Sequence, residues 1–351
     1  MFCVVGRPLD GRTICSLHAV REMKMKTFKR CSPLILAMAA LLPVHAGAQS
    51  LASLVPKKPV LIVVPNAAAG PNDYLARVIA PKLGEVLHQT VVVDNKASAN
   101  GVTAGEFVAH AAADGSTLAV GNTGTHAVNA TLYRKLSYDV VRDCVPVINV
   151  FETQLVLAAY PKFPADSIRD IIAIARKSPG SINVAIAGAT GEIATNAIKI
   201  MAGVDLNNVP YKGGAPAVIA VISGESHFVL TPYSGVGAQA DAGKLKILGV
   251  TGARRDPMLG NIPTLAESGL PGYDITMWYG IFAPPKTPAA IVNAYNREIA
   301  QLVNQPETRS KLTSQGFEIV TGTPEQFAEV VRRDVERFRK IILDAKMQQD
   351  L

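Results

Sequence analysis

Residues 59–80 read PVLIVVPNAAAGPNDYLARVIA, and they carry the clearest fold signal in the chain. The apolar, β-branched run at 59–65 is typical of a strand that is buried on both faces. Apolar residues then recur with helical spacing through residues 74–87, so a helix follows the strand. A loop of small residues joins the two. In open α/β sheets such loops lie beyond the carboxyl ends of the strands, where ligands bind.

The rest of the chain repeats this alternation of strand and helix. Further strands are predicted at residues 90–94, 117–120, 183–187, 228–230 and 246–250. Further helices are predicted at residues 102–113, 167–176, 192–202, 215–222, 288–303 and 324–345. Long extended stretches at 145–160 and 276–283 complete the pattern. This alternation predicts an α/β fold with a mostly parallel sheet and helices on both faces.

Composition narrows the class of protein. The 351 residues are 48% hydrophobic and 18% charged, which excludes an intrinsically disordered chain. The length suits about two domains. The formal net charge of +7 arises mostly within residues 1–48, and the remainder carries 28 basic and 26 acidic residues. A nearly neutral body argues against a nucleic-acid partner, because proteins that bind nucleic acids present a basic face.

Residues 25–48 have the three parts of a secretory signal peptide. Basic residues precede a nine-residue apolar run at 34–42, and a small-residue cleavage site follows. A membrane anchor is the alternative, but a transmembrane helix needs about 20 apolar residues. We expect residues 1–48 to be a leader that is cleaved after Ala48, with the true start at Met23 or Met25. The mature protein is then exported to the periplasm.

The loop at residues 66–73 is the first candidate ligand site. Its small residues leave the backbone N–H groups open to a close approach, and Asn72 and Asp73 stand where the next helix begins. The unpaired N–H groups and partial positive charge of a helix N-terminus suit a carboxylate. An ordinary capped turn is the alternative. The candidate ligand-binding residues here are Asn66, Ala67, Ala68, Ala69, Gly70, Asn72 and Asp73.

Three further glycine-containing loops stand at predicted strand–helix turns. One such loop is weak evidence, but four in one chain predict a cleft that is lined by backbone donors. His126 has an alternative role as a capping or hydrogen-bonding residue. The candidate residues in these loops are Thr123 and His126, then Gly188, Ala189 and Thr190, then Tyr211, Gly213 and Gly214.

The sequence shows no catalytic motif. It contains no nucleophile elbow, zinc-protease motif, phosphate-binding loop or dinucleotide-binding loop after a strand. The four histidines beyond the leader share no metal-ligand spacing, and only Cys144 remains there, so we expect neither a disulfide nor a cysteine-based metal site. We therefore predict no catalytic residue, no metal and no cofactor. A periplasmic hydrolase that uses Ser234 or Thr190 near His126 remains an alternative.

The chain resembles the periplasmic solute-binding proteins of tripartite tricarboxylate transporters, the Bug family. The resemblance runs from about residue 58 to residue 345 and is carried by many motifs in order. The motifs are VVPNAAAGPND (63–73), VVVDN (91–95), ADGSTL (113–118), TGTHAVN (123–129), LYRKLSYD (132–139), MAGVD (201–205), VPYKG (209–213), AGKL (242–245), PTLAESGLPGY (263–273) and WYGIFAP (278–284).

This resemblance implies a two-domain periplasmic-binding-protein fold, a type II-like Venus flytrap with two crossover strands. Domain I is then formed by residues 49–148 plus 274–351, and domain II by residues 149–273. The resemblance also implies a monomeric receptor that binds a small organic acid in the interdomain cleft and delivers it to membrane permease subunits. A receptor that passes the same ligand signal to a membrane sensor is the alternative.

Three positions depart from the usual family pattern. Asn66 stands where an aromatic or apolar residue is usual, Glu192 where a His is usual, and Thr231, a further candidate ligand-binding residue, where many relatives carry an Asp. A carboxylate near the cleft repels a second carboxylate on the ligand. We therefore expect a monocarboxylate, or a ligand whose far end is neutral or cationic.

Overall fold

The predicted strand–loop–helix unit forms as β1 (Val60–Val64) and α2 (Pro71–Leu87) in the computed structural model, which describes residues 50–66, 68, 70–211 and 213–350. The predicted leader and its cleavage site lie outside the described residues. Helix α2 begins at Pro71, three residues before the predicted start, because proline favours the first helical position. Gly70 is therefore the N-cap, and Asn72 and Asp73 lie within the first turn.

In the described residues, helices and strands alternate from Leu51 up to the long strand in the middle of the chain. A short helix, α1 (Leu51–Leu54), precedes β1. After α2 come β2 (Val91–Asn95), α3 (Val102–Ala109), β3 (Thr117–Asn122), a π-helical turn (Gly124–Val128) and α4 (Asn129–Leu132). The long strand is β4 (Val145–Ala159).

The second half repeats the alternation and then returns to the first sheet. Its elements are α5 (Ile168–Lys177), β5 (Asn183–Ile186), α6 (Ala189–Ala202), β6 (Asn207–Pro210), α7 (Gly214–Ser223), β7 (Phe228–Pro232), α8 (Gly237–Asp241) and β8 (Lys246–Val250). The returning elements are β9 (Thr276–Ala283), α9 (Ala289–Asn304), α10 (Pro306–Thr313), β10 (Glu318–Ile319) and α11 (Pro324–Asp344). None of the helices in the described ranges combines the length and hydropathy needed to cross a bilayer.

Strand order shows two sheets of the same design. The path is β2-β1-β3-β9-β4-β7-β5-β6, with β8 and β10 each paired to β4. Strands β1, β2 and β3 are parallel, as are β5, β6 and β7. Each trio is followed by an antiparallel strand, β9 in the first sheet and β4 in the second. The expected α/β fold is confirmed, but the prediction of a mostly parallel sheet is wrong: among the described strands four pairs are parallel and five are antiparallel. Every antiparallel pair involves β4 or β9, the strands at which the chain passes from one half to the other.

Strand β4 belongs to both sheets. Its residues 145–154 pair with β9, and its residues 155–159 pair with β7 and β8. Strand β9 pairs with β3 and β4 in the first sheet. The chain therefore returns from the second sheet to the first just before β9. There Ile275 N donates to Thr251 O at 2.7 Å, and Thr251 Oγ1 donates to Ile275 O at 2.8 Å. Strand β4 and this return are thus two places where the backbone passes between the halves.

Alternation along β4 fills a core on both faces of the second sheet. Leu155, Leu157 and Ala159 join the larger apolar core, while Val156 and Ala158 join a second cluster with residues of α7 and β8. Successive strand side chains point to opposite faces, so this sheet is buried on both sides.

Candidate ligand-binding site

The four predicted site loops all follow the carboxyl ends of strands. They connect β1 to α2, β3 to the π-helical turn, β5 to α6 and β6 to α7. Strands β1 and β3 are parallel neighbours, as are β5 and β6, so their loops emerge at the same edge of each sheet. The structure thus groups the candidate residues into a first-sheet set and a second-sheet set.

In the first-sheet set, a side-chain network holds the loop after β1. Asp73 is only 3% exposed, and its carboxylate accepts from Arg77 Nε at 2.9 and 3.0 Å. Asn95, the last residue of β2, donates through Nδ2 to Asp73 Oδ1 and to Asn66 O, each at 3.0 Å. Asn72 Nδ2 donates to Asn66 Oδ1. The carboxylate of Asp73 therefore positions the loop.

Charge within this network is nearly balanced. The hydrogen bonds that Arg77 donates to Asp73 raise the pKa of the Arg77 guanidinium. A carboxylate in the first turn is favourable at the positive end of the α2 dipole. Ala68 is exposed and Gly70 is half-buried, while Ala67 and Ala69 lie outside the described residues. Ligand binding by this loop stays a prediction.

The candidate side chains after β3 are buried and engaged within the protein. Thr123 Oγ1 accepts from Trp278 N at 2.9 Å. His126 Nδ1 lies 2.8 Å from Thr125 Oγ1, and the imidazole stacks on Phe282 at 3.9 Å between ring centroids. Burial lowers the pKa of His126 to about 3, so the ring is neutral at pH 7. The geometry matches the hydrogen-bonding alternative for His126, and its contact with a ligand stays a prediction.

The second-sheet set surrounds a cavity of about 250 Å³. Five candidate residues line it, namely Gly188, Ala189, Thr190, Gly214 and Thr231. The other lining residues are Leu155, Ala187, Gly191, Leu230, Pro232, Met277 and Tyr279. Strand β9 of the first sheet supplies the last two, so the cavity lies beside the strands that connect the halves.

Two helix N-termini meet this cavity. Gly188 and Gly213 are the N-caps of α6 and α7, with φ of 136° and 106°, a region that L side chains rarely adopt. A Cβ added at Gly188, Gly213 or Gly214 would meet no atom within 4 Å. The backbone is thus open on this side, as predicted for a loop that binds through main-chain donors.

Tyr211 differs from its neighbours in the second set. Its hydroxyl donates to Glu225 Oε1 at 2.9 Å and lies 3.4 Å from Ser226 Oγ, so it links residues at the other end of α7. Gly213 caps α7 but is not among the residues that line the cavity. Both residues stay predictions as ligand contacts.

Sequence reasoning missed Met277 and Tyr279. The sequence predicts the stretch TMWYGIFA to be extended and, from the family resemblance, to be one of the two crossover strands, but assigns none of its residues to the ligand. Its period-2 alternation places Met277 and Tyr279 on one face of β9, and Trp278 and Gly280 on the other. That signal was available, but only the pairing of β9 with β4 shows which face meets the second sheet. In the described part of the chain, no group of three or more His, Cys, Asp and Glu residues is placed to hold a metal ion.

The chain matches the family described as "Tripartite tricarboxylate transporter family receptor" over residues 75–347. One relative is the "UPF0065 protein in tcbD-tcbE intergenic region" of Pseudomonas sp. strain P51, 34% identical over 83% of this chain and 88% of the relative. Protein BugT of Bordetella pertussis is 30% identical over 82% of this chain and 89% of its own length.

Solved structures agree with these sequence matches. Rpa4515 of R. palustris with adipate superposes with a TM-score of 0.72 and 34% identity, covering 83% of this chain and 98% of that one. MatC from Rhodopseudomonas palustris with bound malate gives a TM-score of 0.70 and 31% identity, covering 82% and 99%. The expected two-domain fold of a periplasmic binding protein is confirmed. The resemblance seen in the sequence is confirmed as well: this chain belongs to the receptor family of the tripartite tricarboxylate transporters.

Proposed function

We propose that this chain is an extracytoplasmic receptor that binds a small carboxylate between its two halves and delivers it to a membrane permease. The observation that carries the proposal is the cavity where the N-termini of α6 and α7 meet β7 and β9. Two relatives of similar fold hold the carboxylates adipate and malate, which supports the same ligand class here.

The two links between the halves support a hinge mechanism. Strand β4 and the return at Ile275 leave each sheet intact while the angle between them changes. A ligand closes such a protein only if it binds the closed state better, through contacts from both halves. The loop after β1 supplies the first-half contacts in this proposal, and the cavity after β5 and β7 supplies the others.

Native mass spectrometry of freshly purified protein tests the ligand class. The full chain is expressed with its leader, recovered from the periplasm and measured before and after denaturation. We expect a mass difference that matches a carboxylic acid of low molecular mass, and calorimetric titration of that acid into ligand-free protein then gives its affinity. A retained ligand without a carboxyl group would contradict the proposal.

The remaining parts of the proposal concern export, boundaries and assembly. We infer cleavage after Ala48, domain boundaries at about residues 148 and 273, and a monomer in solution. Sequencing the N-terminus of the periplasmic protein is expected to begin at residue 49, and light scattering is expected to give one chain per particle. Crosslinking in membranes that contain the permease subunits tests delivery, and its absence in the presence of ligand would contradict that step.

A further inference from the structure

The cavity after β5 and β7 differs from a carboxylate site in its lining. None of the twelve residues that line it carries an ionisable acid or base other than the phenol of Tyr279. Leu155, Leu230, Pro232 and Met277 provide apolar surface, and Thr190, Thr231 and Tyr279 provide hydroxyl groups. A second carboxylate would therefore meet no cationic side chain among these residues.

Two of those hydroxyls belong to largely buried side chains and have no hydrogen-bond partner in the described part of the protein. Thr231 is 6% exposed and Tyr279 is 4% exposed, and within the described residues neither hydroxyl makes a hydrogen bond. Both side chains line the same cavity, and neither hydroxyl is among the buried side-chain atoms that lack a partner. The two hydroxyls are therefore accessible from the cavity and available to hydrogen-bond to a ligand.

Glu192 follows a lining residue of the cavity without lining it, and in its ionised form it disfavours a second negative charge there. It lies in the first turn of α6, directly after the lining residue Gly191, and it is half-buried. Burial raises the pKa of its carboxyl group, and in the described part of the chain it forms no ion pair. Its charge also offsets the positive end of the α6 dipole, which weakens the attraction of that end for an anion.

The size of the cavity limits what it receives. A volume of about 250 Å³ corresponds to about eight water molecules at ~30 Å³ each. That space suits the distal part of a small ligand whose carboxylate lies elsewhere. Methylene groups would contact the leucines and Met277, and a terminal oxygen would reach the hydroxyls.

We propose that this cavity takes the far end of the ligand as an uncharged, oxygen-bearing group, recognised by Thr231 and Tyr279. This inference rests on the proposed carboxylate-receptor function and narrows it. The ligand class is then a monocarboxylate with a distal hydroxyl or carbonyl group, and a dicarboxylate of the same length binds more weakly. Thr231 and Tyr279 are the specificity-determining residues.

A matched ligand panel tests the inference by calorimetry on the mature protein. The panel contains straight-chain carboxylates of four to eight carbons whose far end is a hydroxyl, a methyl, a second carboxylate or an ammonium group. At the best length we expect the hydroxyl-ended acid to bind about ten-fold tighter than the others, which corresponds to one hydrogen bond of about 1.4 kcal/mol.

Each outcome of the panel has a defined meaning. Tightest binding of the dicarboxylate, the methyl-ended acid or the ammonium-ended acid overturns the inference and leaves the carboxylate receptor standing. Binding of none of them overturns the receptor proposal itself, because every member carries the same first carboxylate.

Variants separate recognition from a structural role. Thr231→Val and Tyr279→Phe remove one hydroxyl each and keep the shape. We expect each to weaken binding of the hydroxyl-ended acid about ten-fold and to leave the methyl-ended acid unchanged, whereas Thr231→Ser restores binding. Glu192→Gln is expected to improve binding of the dicarboxylate selectively. Equal losses for both ligand types in the two hydroxyl variants would contradict the assignment.

Discussion

The loop after β1 and the cavity after β5 and β7 occupy matching positions in two sheets of the same design, yet they are built differently. In the first, Asp73, Asn95 and Asn66 bond to one another, so the loop is held before any ligand arrives. In the second, glycines leave the backbone open and the hydroxyls of Thr231 and Tyr279 unpaired. A loop that is held in place before binding suits the carboxylate that all ligands share. A cavity whose hydroxyls have no protein partner suits selection among ligands that differ at the far end.

The largest effect is expected from removing the centre of the first network. Asp73→Ala removes a buried carboxylate that accepts hydrogen bonds from the half-buried Asn95 and the exposed Arg77, and losing hydrogen bonds to a charged group costs about 1.5–3 kcal/mol. We expect a loss of this size in the free energy of unfolding, measured in urea, with a loss of ligand affinity. Arg77→Ala is the matched control, since the Arg77 side chain is 56% exposed and its removal leaves Asp73 the hydrogen bond from Asn95, so we expect a smaller loss. Equal effects of the two variants would show that the first loop is not held by Asp73.

Acid is expected to weaken the first sheet selectively, through His126. Its pKa is about 3 in the folded protein and 6.5 in the unfolded chain, so the unfolded chain binds the extra proton between these values. Stability is therefore complete above pH 6.5 and falls as the pH drops towards 3. From pH 7 to pH 5 we expect a loss of about 2 kcal/mol.

Urea unfolding of His126→Gln measures the part of this loss that belongs to the histidine. The variant has a lower stability at pH 7, because it loses the stacking on Phe282, but its stability changes less between pH 7 and pH 5. An unchanged pH dependence in the variant would assign the acid sensitivity to other groups.

In the two loops beside the second-sheet cavity, we expect the stability cost of a glycine-to-alanine change to depend on the backbone conformation of that glycine. Gly188→Ala places a Cβ at φ 136°, which costs about 1–2 kcal/mol of strain although the space is open. Gly214→Ala adds the same methyl group beside the same cavity at a helical φ, and we expect a change within about 0.5 kcal/mol. Thermal unfolding of both variants checks this contrast. A greater loss for Gly214→Ala would mean that the cavity wall is packed more tightly than the structure shows.

A modest effect on stability is expected from Asn95→Ala. This change removes two donated hydrogen bonds at a half-buried site and costs about 1 kcal/mol. Affinity for the ligand should fall further than this, because the loop at Asn66 loses its tie to β2. Calorimetry beside urea unfolding separates the two losses, and a loss of affinity no larger than the loss of stability would count against a positioning role for Asn95.

Hydrophobic periodicity in the sequence predicted most of the helices and strands. It did not predict contacts between elements that are far apart in the sequence. The strand and helix at residues 59–87 follow from local patterning, and so does α11. Asp334 is 1% exposed within α11 and accepts from Trp278 Nε1 at 2.9 Å. A carboxylate on an apolar helix face gives no local sign of its partner in a distant strand.

The candidate site was predicted better for backbone than for side chains. Loop composition identified Gly188 and Gly214 as candidate residues, and both line the cavity. Small residues that leave the backbone accessible can be recognised directly in the sequence. His126 was selected for its position in a loop, but its ring lies in the core against Phe282. Tyr279 was overlooked because its role depends on β9 lying beside β4, a pairing between residues more than a hundred positions apart.

The placement of β4 has a consequence for how the chain is divided. It lies between β9 and β10 in one sheet and between β7 and β8 in the other. Any fragment that ends near residue 154 would leave one sheet without an interior strand and expose the unpaired edges of its neighbours. Both lobes of this receptor thus depend on the same strand. We expect that neither lobe folds as a stable unit when it is expressed without the other.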